Sequence, residues 1–325
     1  MIIVTGAAGF IGSAIVWRLN KLGKNNIIIV DELGKDEKWK NLVALDYQDY
    51  INKHLFLEKI ENDKLSYKID AIIHMGANSA TTEKDCDHLI SNNYEYTKKL
   101  ARYAINKDIR FIYASSAATY GDGSRGFDDN DENCQALRPL NMYGYSKSLF
   151  DSIALKKEWL NKIVGLKFFN VFGPNEGHKG DMRSVVHKAY EQVRDVGKVK
   201  LFKSYHPDYG DGMQQRDFVY VKDAVDMTLF FLDKPEFNGL YNIGSGKART
   251  WVDLVTALFN AVGKPVDIEF IDMPEVLKEK YQYFTEANLG KIRKIGYRKN
   301  TTSLEDGVRD YVQTYLMQNK YLGDE

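Results

Sequence analysis

The chain is poor in the features that mark secreted, membrane-bound and nucleic-acid-binding proteins. Cys86 and Cys134 are the only cysteines among 325 residues, too few for a disulfide framework, and their spacing does not suit a metal. Because 45 Lys and Arg residues balance 45 Asp and Glu residues, no basic excess favours nucleic acid or an anionic membrane. The longest apolar runs, such as "NNIIIVD", are too short to cross a bilayer. We therefore expect a cytoplasmic protein without a nucleic-acid, membrane or metal partner.

The first half of the chain alternates short apolar runs with stretches of helical spacing. The expected strands span residues 2–6, 26–32, 70–77, 110–117 and 162–173. The expected helices span residues 11–23, 84–107 and 143–160. Continuous apolar strands that alternate with helices are typical of a parallel sheet covered on both faces. The pattern predicts an α/β protein with a Rossmann-like, doubly wound parallel sheet.

A glycine-rich turn follows the first expected strand. The stretch "TGAAGFIG" places Gly6, Gly9 and Gly12 at three-residue intervals between that strand and a helix. Glycine permits the tight turn, and its missing side chain lets the backbone approach a pyrophosphate at the helix N-terminus. Asp31, at the end of the second strand, completes a pattern that predicts dinucleotide binding.

The residues after the second strand leave the choice of dinucleotide open. Asp31 and the adjacent Glu32 are suited to the ribose hydroxyls of NAD. Lys38 and Lys53 lie just beyond, where either could reach the 2′-phosphate of NADP. Spacing alone does not decide between the two cofactors.

A tyrosine and a lysine form the candidate catalytic pair. In "YGYSK", Tyr143 and Lys147 stand four positions apart, so both project from one face of a helix. A nearby ammonium and the positive charge of an oxidised nicotinamide would lower the tyrosine pKa, which is ordinarily near 10. Tyr143 could then take a hydroxyl proton while hydride leaves the same carbon. Ser116, in "YASSAATYG", could hydrogen-bond the same substrate oxygen.

The chain becomes looser after residue 173. A Gly-rich loop, "GPNEGHKGDMRS", leads to an expected helix over residues 184–197, and residues 205–215 form a long polar loop. We predict that residues 1–172 form the dinucleotide-binding domain, with parts of residues 216–245 returning to it. Residues 173–325 would mainly form a smaller, mixed α/β domain that binds the substrate.

Several motifs together resemble the extended short-chain dehydrogenase/reductase superfamily of nucleotide-sugar epimerases and dehydratases. They are "TGAAGFIG", "YASSAATYG", "YGYSK" and "FFNVFGP". The stretches "GANSATTEKD", "GPNEGHKG" and "QRDFVYVKD" resemble the branch that inverts ADP-bound heptose at C6″ for the lipopolysaccharide core. The resemblance implies conversion of ADP-D-glycero-β-D-manno-heptose into its L-glycero epimer through a transient 6″-ketone. It also implies a homo-oligomer, and for this family a pentamer.

The resemblance also implies roles for individual residues. It implies tightly bound NADP rather than NAD, with Lys38 and Lys53 at the 2′-phosphate and Lys179 as a second catalytic base besides Tyr143. The implied cofactor contacts are Gly6, Gly9, Phe10, Ile11, Gly12, Asp31, Glu32, Lys38, Lys53, Met75, Gly76, Ala77, Asn78, Ser79, Asn92, Lys147, Val171 and Lys179. The implied substrate contacts are Asn170, Asp181, Lys188, Phe202, Lys203, Ser204, Tyr205, Arg216 and Tyr281.

The chain departs from the family pattern at four places, one of which is a longer loop before "QRDFVY". The family usually has serine where Asp181 stands and histidine where Lys188 stands, and "LFKSY" lacks the family's glycine. A carboxylate beside a diphosphate requires a cationic partner, for which the sequence offers Arg183.

Two other functions are compatible with the same motifs. One is a nucleotide-sugar 4-epimerase or 4,6-dehydratase, although "SSAATYG" lacks the acid pair that a dehydratase usually carries. The other is a catalytically silent, NADP-binding sensor. The combination of Ser116, Tyr143 and Lys147 favours an enzyme.

Overall fold

The computed structural model describes residues 1–278 and 281–325 and contains twelve β-strands within them. In chain order, the strands are β1 Ile2–Thr5, β2 Ile27–Asp31, β3 Asp49–Asn52, β4 Ala71–His74, β5 Arg110–Ser116 and β6 Val164–Phe168. They continue with β7 Asn170–Phe172, β8 Val199–Phe202, β9 Gln215–Tyr220, β10 Gly239–Ile243, β11 Ala248–Thr250 and β12 Ile268–Ile271.

The central sheet has seven parallel strands in the order β10-β6-β5-β4-β1-β2-β3. Its interior strands are buried on both faces, which is why their sequences are continuous apolar runs rather than alternating ones. Ile29 and Ile73 pack into the core on one face, whereas Ile28 and Ile72 pack into the core on the other. The predicted Rossmann-like α/β class is confirmed, and the strand order reverses between β1 and β4.

Helices cover both faces of this sheet. In chain order, the first helices of the structure are α1 Phe10–Lys21, α2 Lys53–Glu61, α3 Cys86–Leu89, α4 Tyr96–Asn106, α5 Met142–Lys156 and α6 Val185–Asp195. The later ones are α7 Val221–Phe230, α8 Trp251–Val262, α9 Glu275–Lys278, α10 Gly290–Lys294 and α11 Leu304–Asp310. Short 3₁₀ helices lie at Glu37–Leu42, Ala117–Tyr120, Asp131–Ala136, Trp159–Asn161 and Gly177–Met182, and π-helices lie at Ile90–Glu95 and Tyr311–Leu316. No helix in the described ranges is long and apolar enough to cross a membrane.

Two expected elements are divided in the structure. The single strand expected over residues 162–173 is two strands, β6 and β7, which belong to different sheets. The break lies at Phe169, whose N–H donates to Ile243 O while its own carbonyl accepts from Val171 N. The helix expected over residues 84–107 is interrupted by the π-helix Ile90–Glu95. That widened turn carries Asn92 to the cavity described below and buries Asn93 beside it.

Two small sheets complete the architecture. The order β11-β9-β7 forms a three-stranded sheet, and β8 pairs with β12. Strand β10, at residues 239–243 late in the chain, is an edge strand of the central sheet and pairs with β6. The division into two domains at residue 172 stays a prediction.

Candidate active site

The glycine turn forms a cradle between the ends of β1 and β4. Gly6 has φ +65°, and a Cβ placed on it would lie 2.6 Å from the Cα of Gly76. A Cβ on Gly12 would lie 2.0 Å from the carbonyl oxygen of Gly6. Gly9 precedes α1 without a side-chain cap, which leaves the first amides of this 12-residue helix for a ligand. The cradle therefore fits the pyrophosphate of a dinucleotide.

A cavity of about 420 Å³ opens at this cradle. It is lined by all the residues predicted to contact the cofactor except Val171, and also by Tyr143. Its position, where the strand order reverses, is the usual ligand site of open parallel sheets. Val171 and Ser116 are not in its wall, although Ser115, next to Ser116, is.

Asp31 braces the cradle rather than standing free. Its Oδ2 accepts from the main-chain N–H of Ala8 at 2.8 Å, and its Oδ1 accepts from Glu32 N at 2.7 Å and from Lys38 Nζ at 2.9 Å. Glu32 forms an ion pair with Lys53, whose hydrogen bond holds the pKa of Glu32 below its usual value. Each predicted cofactor lysine thus stands beside one of the predicted acids.

Helix α5 presents the catalytic pair. Asn141 caps its start by accepting from Gly144 N at 2.8 Å. Burial raises the pKa of Tyr143, and the neighbouring side chain of Ser116 acts in the opposite direction. The expected lowering of that pKa by Lys147 is not seen, because the Lys147 ammonium donates to Ala114 O at 2.8 Å and burial dominates.

Burial also lowers the pKa values of the two candidate catalytic lysines, Lys147 and Lys179. It lowers the pKa of Lys147 to about 8, against the opposing charge of Asp151 one turn along α5. Lys179 lies in the turn Gly177–Met182, with Nζ 5.6 Å from the centre of the Phe10 ring. Burial lowers the pKa of Lys179 as well, and the carboxylate of Glu176 acts in the opposite direction. Tyr143 and Lys179 thus reach one cavity from different elements.

Predicted substrate residues meet outside the wall of this cavity. The three-stranded sheet places Asn170 on β7 and Arg216 on the neighbouring strand β9. Arg216 is 7% exposed, and its guanidinium lies 5.2 Å from the Tyr281 ring and 5.8 Å from the Trp251 ring. Within residues 1–278 and 281–325 no carboxylate pairs with Arg216, and burial lowers its pKa. A buried cation without a counter-ion fits an anionic ligand.

The loop after β8 is attached to the aromatic cluster around Arg216, which contains Trp251, Tyr281 and Tyr283. Phe202 ends the strand, and Lys203 and Tyr205 both bind the carboxylate of Asp272, at 3.2 and 2.9 Å. The main-chain N–H of Tyr205 donates to the hydroxyl of Tyr283 at 3.2 Å. Tyr283 in turn packs edge-on against Tyr281, with 5.1 Å between the ring centres. The segment Phe202–Tyr205, including Ser204, is thereby connected to Arg216 through these rings.

The expected pairing of Asp181 with Arg183 is wrong. Arg183 instead pairs with Glu191 at 2.6 Å and donates to Gly180 O at 2.8 Å. The reason is geometric, because Glu191 lies one turn beyond His187 on α6 and faces the N-terminal end of the helix, where Arg183 precedes the N-cap Ser184. Lys188 donates to the main-chain oxygen of Asp181 at 3.3 Å, so the exposed Asp181 carboxylate is not neutralised by either residue.

Sequence reasoning missed several residues that line the cavity. They are Thr5, Val30, Asp36, Ala80, Tyr96, Ala114, Ser115, Phe168, His178 and Met182. His178 could have been found, because it stands beside Lys179 in "EGHKG". Thr5, Val30 and Ala80 could also have been found, because each adjoins a predicted cofactor contact in the chain. Tyr96 and Phe168 carry no such signal, since no predicted cofactor contact adjoins them.

Comparison with known proteins agrees with this geometry. The model of the NAD dependent epimerase/dehydratase family matches residues 2–244, and the chain belongs to that family. A protein of Nitratidesulfovibrio vulgaris named ADP-L-glycero-D-manno-heptose-6-epimerase is 55% identical over 97% of this chain and 98% of its own length. A protein of the same name from Fusobacterium nucleatum is 51% identical over 99% of this chain and 100% of its own length.

A solved structure is also similar over nearly the full chain. The crystal structure of ADP-L-glycero-D-manno-heptose-6-epimerase from Helicobacter pylori superimposes with a TM-score of 0.81 at 28% identity. The match covers 96% of this chain and 95% of that one.

Proposed function

We propose that this protein converts ADP-D-glycero-β-D-manno-heptose into ADP-L-glycero-β-D-manno-heptose by transient oxidation at C6″. The observation that carries the proposal is that two candidate bases, Tyr143 and Lys179, line the cavity of the glycine cradle. The names of relatives that are 51% and 55% identical support the substrate. The product would serve the synthesis of the lipopolysaccharide core in the cytoplasm.

We propose NADP as the resident cofactor. The glycine cradle would hold its pyrophosphate, and Lys38 and Lys53 would bind its 2′-phosphate. Both oxygens of Asp31 already accept hydrogen bonds, from Ala8, Glu32 and Lys38, which leaves the carboxylate little capacity for a ribose diol. An ammonium carries three N–H groups, so Lys38 keeps donors for a phosphate. Removing Lys38 and Lys53 together should therefore weaken NADP binding more than NAD binding in a fluorescence titration.

The mechanism requires two proton acceptors because the oxygen at C6″ occupies two positions. When bound, the dinucleotide supplies the hydride acceptor and donor and, in its oxidised form, a positive charge. One of Tyr143 and Lys179 takes the hydroxyl proton as the 6″-ketone forms, and the other returns a proton after the ketone has reoriented. Ser116, which acts on the pKa of Tyr143, would orient the Tyr143 hydroxyl by a hydrogen bond. Lys147, held at Ala114 O, keeps two further N–H groups for a ribose and for Tyr143.

The charged end of the substrate would bind at the aromatic cluster. Arg216 is the natural partner of a diphosphate because it is buried and planar, and it is not paired with a carboxylate in the described residues. Tyr281 and the segment Phe202–Tyr205 would complete this part of the site, together with Asn170. Asp181 and Lys188 would lie at its margin, and the exposed Asp181 carboxylate argues against a phosphate directly beside it.

The decisive experiment follows the configuration at C6″ by NMR with purified protein and the D-glycero substrate. We expect Tyr143→Phe and Lys179→Met each to slow epimerisation by about 10²- to 10⁴-fold, the usual contribution of a positioned acid or base. Tyr145→Phe and Lys156→Met are matched controls, because both side chains lie outside the cavity on the same helix α5. Wild-type rates in the double variant Tyr143→Phe/Lys179→Met would refute the mechanism, and a product lighter by one water would indicate a dehydratase.

We also propose a homo-oligomer, a pentamer by family resemblance. Sedimentation velocity of the purified protein tests this directly. A monomer that retains full epimerase activity would contradict it.

A further inference from the structure

Asn41 connects three parts of the active site that the proposed mechanism treats separately. Its side chain is 2% exposed and belongs to the 3₁₀ turn Glu37–Leu42, which also carries Lys38. The Nδ2 atom of Asn41 lies 2.9 Å from Ala8 O, 3.0 Å from Asn175 O and 3.2 Å from His178 Nδ1. One buried amide thus joins the glycine turn, the lysine-bearing turn and the loop of the second base.

The contact with the glycine turn is made at Ala8, whose main-chain N–H and carbonyl oxygen are both hydrogen-bonded. Ala8 donates its N–H to Asp31 and accepts from Asn41 at its carbonyl oxygen. Asp31 is itself bound to Lys38. Lys38 and Asn41 belong to the same short turn, so an anion that fixes the Lys38 ammonium also restricts the position of Asn41.

The contact with the second loop lies directly before the second base. Asn175 is already held by other contacts, since its side chain donates to Ser13 Oγ at 3.0 Å and accepts from Leu322 N at 2.9 Å. Beyond it, His178 meets the Asn41 amide, and Lys179 follows His178 in the chain. Asn41 therefore links the turn that bears Lys38 to His178, the residue immediately before Lys179.

We propose that Asn41 is a positioning residue that couples occupation of the 2′-phosphate site at Lys38 to the placement of Lys179. The inference rests on the proposed NADP site and on the proposed role of Lys179. A dinucleotide with a 2′-phosphate then orders the second-base loop more than one without it. Asn41 itself touches neither the reacting carbon nor the migrating proton.

Hydrogen exchange of residues 176–183 tests the coupling without relying on turnover. The amides of Lys179 and Arg183 are suitable reporters, because they donate to Glu176 O at 3.0 Å and to Gly180 O at 3.2 Å. The full-length protein is compared without dinucleotide, with saturating NAD and with saturating NADP. In the wild type we expect NADP to slow exchange about ten-fold more than NAD, the effect of roughly one net hydrogen bond.

Asn41→Ala should remove this difference while both dinucleotides still bind. Asn242→Ala is the matched control, because Asn242 is equally buried and also donates to two main-chain oxygens, those of Phe127 and Asn288, but lies outside the cavity. Asn41→Leu, of similar volume, serves if the alanine variant does not fold. Retention of the NADP-specific protection in a folded Asn41 variant, or its absence from the wild type, overturns the proposal.

Epimerisation is measured on the same samples, so the two proposals fail separately. Loss of the NADP-specific protection in an Asn41 variant supports the coupling whether or not the heptose is a substrate. Absence of product from the wild type, with the coupling present, refutes only the proposed reaction. If the coupling serves catalysis, Asn41→Ala should lower kcat about ten-fold and leave KM for the ADP-heptose within about two-fold.

Discussion

A buried ion pair beneath the catalytic helix gives the sharpest prediction about stability. Lys167 on β6 and Asp151 on α5 are 1% and 0% exposed, with 3.1 Å between Nζ and Oδ2. Asp151 also accepts from the hydroxyl groups of Tyr113 at 2.8 Å and Ser115 at 2.7 Å. The pair therefore ties the helix that bears Tyr143 to the strands beneath it.

Lys167→Met leaves the Asp151 carboxylate buried without its cation. Removal of one partner from a buried pair costs about 3–5 kcal/mol of unfolding free energy. The two remaining hydroxyl hydrogen bonds place the expected loss near the lower end, at about 3 kcal/mol. Lys167→Met/Asp151→Asn removes both charges and should recover most of that loss, because a neutral amide costs far less to bury.

Urea unfolding followed by circular dichroism and by tryptophan fluorescence measures these differences. Lys107→Met is the control, because it breaks an ion pair with Asp63 whose side chains are 46% and 66% exposed and should change the midpoint far less. A Lys167→Met variant within about 1 kcal/mol of the wild type would refute the reasoning. So would a double variant as unstable as the single one.

Three further predictions follow from other buried groups. Burial lowers the pKa of His74 to about 3, so below about pH 6.5 the unfolded chain binds a proton that the folded chain does not. The free energy of unfolding should therefore fall by roughly 2 kcal/mol from pH 7 to pH 5, and His74→Gln should show a weaker pH dependence of that free energy in urea titrations. Burial lowers the pKa of Lys147 to about 8, so the charged form is lost as pH rises through that value; the single-turnover epimerisation rate should decline there, and an unchanged decline in Lys147→Arg would contradict the assignment. In Gly12→Ala the new Cβ would meet Gly6 O at 2.0 Å, so NADP affinity should drop at least about ten-fold, whereas Gly210→Ala, whose nearest neighbour lies at 3.4 Å, should bind normally in the same fluorescence titration.

The sequence predicted the central fold because its signals are local. The apolar run of β2 and the helix after Gly9 reveal their type within a few residues. The three parallel neighbours β2, β1 and β4 follow from such runs and from right-handed crossovers. Edge strand β3 was not predicted, because Ile51 is the only buried residue of its four.

The cavity was also largely predictable, for a related reason. In a parallel sheet the carboxyl ends of the strands meet at one edge, so residues just after β1, β2 and β4 must converge. Tyr143 and Lys147 share one helix face through their spacing alone. Lys179 became a candidate only through resemblance to a family, since a loop lysine has no periodicity.

What the sequence determined by itself was most of the elements of the central sheet and the groups at their ends. The tertiary structure decided which charges neutralise one another: Arg183 forms an ion pair with Glu191, and Lys38 forms one with Asp31. It also decided that Asn41 meets Asn175, a residue 134 positions away. Local periodicity reports the face on which a side chain lies, but the pairing of buried polar groups depends on distances that only the packed chain sets.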